Sequence, residues 1–239
     1  MRLIIPESIK YRLLVGSPTI NWLNRMLRPS NWRARLRIKE VIARALSGGG
    51  KVKLFIGCGR CRLDHTWLHA DIHRGDLYIN ALKRLPFEEN QVDFIFSEHF
   101  IEHLPETKIR RFWKECQRIL KPGGWMRHST PDLDFFIRLY GGKIKNVTLD
   151  AFYSRIRHIR KETPHPCIFM NEVLHLWGHR FNYSQDYLQE IWKEAGFINM
   201  RRARFCESEI SELANLEQHG VEEWYRNQAT LVMEAQKPA

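Results

Sequence analysis

Residues 52–71 read VKLFIGCGRCRLDHTWLHAD, an apolar run ending in Ile56-Gly57-Cys58-Gly59 and a second, shorter run that starts at Trp67 and ends in Asp71. This is the outline of two short strands joined through a glycine loop. Glycine at 57 and 59 lets the backbone turn sharply and approach a ligand closely, and an acid closing the second strand can accept hydrogen bonds from both hydroxyls of a ribose. A nucleotide-type cofactor site is therefore expected here. A dinucleotide fingerprint would carry a third glycine a few residues on and its acid about 20 residues downstream. Instead Arg60-Cys61-Arg62 follows the loop and the acid arrives sooner, which argues against a nicotinamide dinucleotide.

Working outward, residues 51–57, 67–72, 77–80 and 92–97 read as strands. Residues 105–120 read as a helix with Pro105 in its first turn and Ile109, Trp113, Cys116 and Leu120 on one face. Gly123-Gly124 is expected to stop that helix, and residues 125–129 to form a fifth strand running into Thr130-Pro131-Asp132. Alternation of strand and helix implies parallel strands joined by right-handed crossovers, with a ligand crevice beyond their carboxyl ends. Those ends are Gly57, Asp71, Asn80, residues 97–99 and residues 129–132.

Three more segments follow the glycine loop in order: Leu85-Pro86-Phe87 leading into the strand at Val92; Glu98-His99-Phe100-Ile101-Glu102-His103-Leu104; and Arg118-Ile119-Leu120-Lys121-Pro122-Gly123-Gly124. Together with Ile56-Gly57-Cys58-Gly59 they resemble class I S-adenosylmethionine (SAM)-dependent methyltransferases, whose pattern is a glycine loop, an LPF strand entry, an EHL helix start and an RxLKPGG turn. Glu194-Ala195-Gly196-Phe197 looks like that family's last helix turning into its closing hairpin, and roughly the first fifty residues stay unmatched. The resemblance implies an α/β fold with a doubly wound, mostly parallel seven-stranded sheet and an antiparallel C-terminal hairpin strand. It implies SAM as cofactor and methyl transfer as the activity.

Carried over residue by residue, the resemblance puts Gly57, Cys58 and Gly59 under the methionine portion and Asp71, with Ile72 beside it, at the ribose. Asn80 or Ala81 falls beside the adenine, and Ser97, Glu98 and His99 near the transferred methyl. Relatives commonly place an aspartate beside the adenine amine; here the amide oxygen of Asn80 could accept the same bond. Phe55 stands where relatives often carry an acid that helps receive the ammonium of SAM.

Methyl transfer is an in-line displacement at a carbon already activated by sulfonium, so the protein's task is alignment and removal of the acceptor's proton. Histidine suits that task with an ordinary pKa of about 6.5, which makes His99 the first catalytic candidate. His103 reads as structural, capping or bracing the following helix. His165, His175 and His179 lie among Phe169, Trp177, Phe181 and Tyr183, where this fold commonly inserts substrate-recognition elements, and His179 is expected as a base or donor from a lid. His175 and His179 would sit one turn apart on a helix, although Gly178 argues for a bend, and Glu172 is the carboxylate at suitable spacing. Histidines in aromatic clusters are more often satisfied by hydrogen bonds than by an ion, so no metal is expected.

At 239 residues and 44% hydrophobic content the chain can bury one sizeable core. The expected organisation is a basic helical extension over residues 1–50 and a catalytic domain over residues 51–239, with a His/aromatic-rich insert at about 140–184. Net charge is +11, and residues 1–50 carry ten Lys or Arg against two acids, interleaved with Trp22, Leu23, Trp32, Leu36 and Ile42 at near-helical spacing. Such helices can lie on an anionic membrane surface or reach nucleic-acid phosphates. No apolar run approaches the ~18 residues of a membrane span, and five cysteines, an odd number, fit a reducing compartment, so a cytoplasmic location, peripheral to the membrane, is expected. Cys58 and Cys61 have the spacing of a metal or redox pair, but Cys116, Cys167 and Cys206 supply no second pair. The leading reading is methyl transfer to a small-molecule or glycan acceptor. An RNA acceptor is the alternative, held lower because no RNA-binding module or Asn-Pro-Pro-Tyr type motif is present. A non-catalytic scaffold is the third.

Overall fold

A computed structural model describes residues 37–145, 147–155, 165–219 and 227–239, so most of the basic extension expected over residues 1–50 lies outside the described residues. Helix α1 (Ile38–Ser47) leads through Gly48 into β1 (Lys53–Ile56), β2 (Trp67–Asp71), β3 (Leu77–Tyr78) and β4 (Val92–Glu98). Then come α2 (Glu106–Ile119), β5 (Leu120–Pro131), α3 (Leu133–Tyr140), α4 (Leu149–Arg155), α5 (Pro166–His175), α6 (Gln185–Glu194), β6 (Ile198–Ala203) and β7 (Thr230–Gln236). The described residues form one seven-stranded sheet in the order β3-β2-β1-β4-β5-β7-β6. Strands β1 to β5 run parallel, and β7 runs antiparallel to both β5 and β6. This is the doubly wound sheet with an antiparallel hairpin strand that the family resemblance implies.

Both faces of the central strands are covered, so they read as continuous apolar runs. Alternation along β1 and β4 sends Leu54, Ile56 and Ile95 to a cluster with Phe112 and Trp113 of α2 and Trp192 of α6. It sends Phe55, Phe94 and Phe96 to the opposite face, under Leu213 and Leu216. One boundary differs from expectation. Helix α2 ends at Ile119, where Leu120 turns to extended backbone, and Gly123-Gly124 lies inside β5 instead of stopping the helix. A Cβ on Gly124 would stand 2.9 Å from the Lys121 carbonyl oxygen and 3.0 Å from that of Asp93, so the second glycine serves close strand packing beside a register shift between Val92 and Phe94.

Two buried polar groups organise β5. Arg127 has no solvent exposure and donates from Nε to Glu217 Oε1 at 2.6 Å and from Nη1 to Glu234 Oε1 at 2.6 Å. It also donates to the carbonyls of Glu207 and Arg204, at 2.8 and 2.9 Å, which ties residues 204–217 across the sheet. Burial opposes its charge, but the bonds to and charges of Glu217 and Glu234 raise its pKa. One position on, His128 is fully buried against Trp113 and Trp192, with ring centroids 4.7 and 5.8 Å away. Its Nδ1 is hydrogen-bonded to the Ser97 hydroxyl, its Nε2 has no partner among the described residues, and burial pushes its pKa down to about 3. No helix among the described residues is long and apolar enough to cross a membrane.

Removing one member of a buried ion network leaves the others uncompensated, so Arg127→Ala should cost about 3–5 kcal/mol in urea unfolding; a loss below about 1 kcal/mol, the size of a surface pair, would show that the network does not hold residues 204–217. For His128 the folded pKa lies below the unfolded one, so the unfolded chain takes up the proton first as pH falls. Its contribution is complete above the ordinary value of 6.5 and is lost on acidification towards about 3. His128→Asn should remove up to ~1.4 kcal/mol per pH unit from the slope of stability between pH 6.5 and 4, and parallel curves for both proteins would contradict this.

Candidate active site

The carboxyl ends of β1, β2 and β3 enclose a crevice of about 290 Å³ lined by Gly57, Asp71, Asn80, Phe100 and Leu104 among others. Ile72 and Ala81 also line it, so five of the residues expected at the cofactor come together. Gly57 has φ +72° and bonds the Ala70 carbonyl at 2.7 Å; a Cβ there would fall 2.2 Å from Cδ2 of Phe100, whose ring packs on this glycine. Gly59, at φ +52°, faces open space. The Asp71 carboxylate accepts from Gly59 N–H at 3.3 Å and from His73 N–H at 2.7 Å, which fixes the loop to the strand end and leaves lone pairs for a hydroxyl. The amide oxygen of Asn80 accepts from Leu82 N–H at 2.9 Å, which leaves this side chain one further lone pair and two amide N–H donors. A larger groove, about 680 Å³, lies at the amino ends of β1 and β2 beside Arg44, Lys51 and His65, away from the end where open α/β sheets bind ligands.

Cys58, Ser97 and Glu98 are placed elsewhere. The Cys58 side chain is 2% exposed and packs with Phe55 and Trp67, and burial pushes its thiol up to about 11. Ser97 is fully buried against His128. Glu98 accepts from Gln218 N–H at 2.9 Å and His219 N–H at 2.8 Å. Burial alone would lift its carboxyl, yet these bonds and that of the His219 ring lower it. Successive residues of a strand covered on both faces alternate between two buried layers, so a strand end presents few side chains to the crevice. Phe55 likewise belongs to the aromatic layer with Phe96 and His69.

Beyond Glu98 the chain turns. His99 adopts φ +45°, a conformation that a residue with a side chain enters only when its surroundings demand it. Its Nδ1–H donates to Glu102 Oε1 at 3.2 Å, and Thr130 donates from its hydroxyl to Glu102 Oε2 at 3.1 Å. Glu102, in a short 3-10 turn at Ile101–His103, has no solvent exposure. Burial would raise its pKa, but the bond to and charge of His99 and the nearby His103 lower it. His99 shifts up in turn: burial opposes protonation, and the bond to Glu102 with the charges of Glu102 and Glu98 outweighs it.

The backbone carbonyl of Glu102 accepts from Arg180 N–H at 2.7 Å and Phe181 N–H at 3.2 Å, which brings the His-rich segment onto this turn. Helix α5 ends at His175, and Trp177 (φ +60°) and Gly178 (φ +84°) break the path, so His175 and His179 share no helix face. His179 lies against His103 instead, ring centroids 5.2 Å apart, and burial lowers its pKa. His103 donates from Nδ1 to the Gly178 carbonyl at 3.3 Å, so it braces the 176–178 turn and not α2. His165 caps α5, accepting from Cys167 N–H at 3.2 Å. Sequence reasoning missed Glu102 and Thr130 as site residues; the available signal was an acid three positions after His99.

Gly57→Ala forces a left-handed conformation costing about 1–2 kcal/mol and displaces Phe100 besides. Its destabilisation should exceed that figure in the native background and shrink towards it in Phe100→Ala, and equal losses in both backgrounds would contradict the packing described.

A family model described as "Methyltransferase domain" matches residues 56–127, the stretch from the glycine loop to β5. No curated protein matches the chain. Among solved structures, a SAM-dependent methyltransferase from Archaeoglobus fulgidus is similar at 16% identity and TM-score 0.47, with 98% of this chain and 100% of that one covered. An S-adenosylmethionine-dependent methyltransferase from Mesorhizobium loti is similar at 14% identity and TM-score 0.48, with 82% of this chain and 96% of that one covered.

Proposed function

We propose that this protein is a SAM-dependent methyltransferase whose acceptor is a small molecule or a glycan. The observation that carries the reading is the adjacency, across the single residue Phe100, of a nucleoside-sized crevice bearing Asp71 and Asn80 and of a histidine oriented by a buried carboxylate. The residues present suit the cofactor. Asp71 retains lone pairs for ribose hydroxyls, the amide N–H groups of Asn80 match a ring nitrogen of adenine, and the open space beside Gly59 would leave room for the methionine portion.

Bound SAM would supply a methyl group already activated on sulfonium. The chain's own residues would then position the acceptor and take its proton. Because Glu102 accepts from Nδ1–H of His99, the proton-accepting nitrogen of the neutral ring is Nε2, which has no hydrogen-bond partner among the described residues. A buried carboxylate behind an imidazole fixes its tautomer and stabilises the imidazolium formed when it takes a proton. The basic excess of residues 1–50 fits contact with an anionic membrane surface at the cytoplasmic side, where a lipid-linked glycan would be presented.

Calorimetric titration with SAM and the methyl-labelled cofactor tests this reading. Asp71→Ala should weaken SAM binding by roughly 5- to 150-fold, the equivalent of about 1–3 kcal/mol for unpaired buried hydroxyls. His99→Gln should keep SAM affinity while kcat falls by about 10²- to 10⁴-fold on whichever glycan or small-molecule acceptor takes label. Label entering RNA alone would favour the RNA reading, and a folded protein that binds neither SAM nor S-adenosylhomocysteine would leave a binding scaffold.

A further inference from the structure

We infer that Glu102, His103 and His179 form a binding site for a divalent first-row transition-metal ion, a site that does not depend on the methyl-transfer reading. One ligand-capable atom from each lies within 4.8 Å of those of the other two. A backbone carbonyl can only accept, so the bonds to Gly178 at 3.3 Å and to Val173 at 3.3 Å place the ring proton of both histidines on Nδ1. Each Nε2 is left as a lone-pair donor with no hydrogen-bond partner among the described residues. The third member is a carboxylate with no solvent exposure. Three lone-pair donors thus face one another in a largely buried place, an arrangement that a cation between them would satisfy.

The surroundings match those of an ion site. Metal-binding histidines usually donate their second ring N–H to a carbonyl or carboxylate, and a ligating carboxylate is itself hydrogen-bonded. Both histidines do the first, and the Glu102 oxygens accept from His99 and Thr130. Two imidazoles and one carboxylate suit zinc and its neighbours, and three protein ligands leave a fourth position open. Bonds of about 2.0–2.1 Å at tetrahedral angles put ligand atoms roughly 3.4 Å apart, so side-chain movements of order 1 Å complete the site. The site would also lock the turn carrying His179 onto the turn carrying Glu102. The other cluster of this kind among the described residues, Cys61, Glu98 and His219, is poorer: burial raises the Cys61 thiol and the His219 side chain is half exposed.

The test is a Co²⁺ titration of the full chain, prepared without a histidine tag and stripped by chelator. One equivalent should bind with the intense visible absorption of low-coordinate cobalt, Zn²⁺ should displace it, and His179→Ala should abolish it while His175→Ala, on the same segment, leaves it unchanged. Glu102→Gln should also abolish it; His179→Ala carries the test if that buried substitution prevents folding. Absence of stoichiometric binding, or absorption that survives His179→Ala, would overturn the assignment. So would an intense sulfur-to-cobalt charge-transfer band, which would place the ion at Cys61.

Discussion

A carboxylate with no access to water sits at the turn after β4, and much of the candidate-site end of the described residues is arranged around it. Removing Glu102 from water is costly unless donors surround it. Two reach the carboxylate, the ring of His99 just after β4 and the hydroxyl of Thr130 near the end of β5, while the N–H groups of segment 180–181 hold the backbone carbonyl of the same residue. His99 meets the carboxylate from a left-handed backbone conformation, which is the local cost of that arrangement.

The same turn divides two compartments. His99 faces the carboxylate cluster, while its neighbour Phe100 packs on Gly57 and lines the crevice with Asp71 and Asn80. A ligand seated in that crevice and a partner molecule approaching His99 would meet across one side chain. Away from this end, Arg127 and His128 act on the sheet itself: the first fastens residues 204–217 over one face, the second fills the opposite layer under α2 and α6.

What was legible in the sequence follows from what is local. The strands of β1 and β2, the loop glycines and the strand-ending Asp71 are readable because a positive φ and a strand end each demand particular residue types. The order of the later segments fixed the sheet. Less legible were properties that depend on which layer a side chain enters. Ser97 and Glu98 stand at the end of β4 yet turn into two different buried layers, and nothing in their spacing says so. Glu102 looked like part of a helix-start signature, because its burial comes from a segment that arrives 78 residues later at Arg180. The spacing of His175 and His179 suggested one helix face, and the left-handed Trp177 removed it.

The most direct measurement is amide chemical-shift mapping of the ¹⁵N-labelled chain with S-adenosylhomocysteine. The fold and the crevice predict saturable shifts at Gly57, Gly59, Asp71, Asn80 and Leu82, with smaller ones at His99 and Phe100. Shifts confined to the groove beside Arg44, Lys51 and His65, or none in a folded protein, would contradict a cofactor site at the carboxyl ends of β1 and β2.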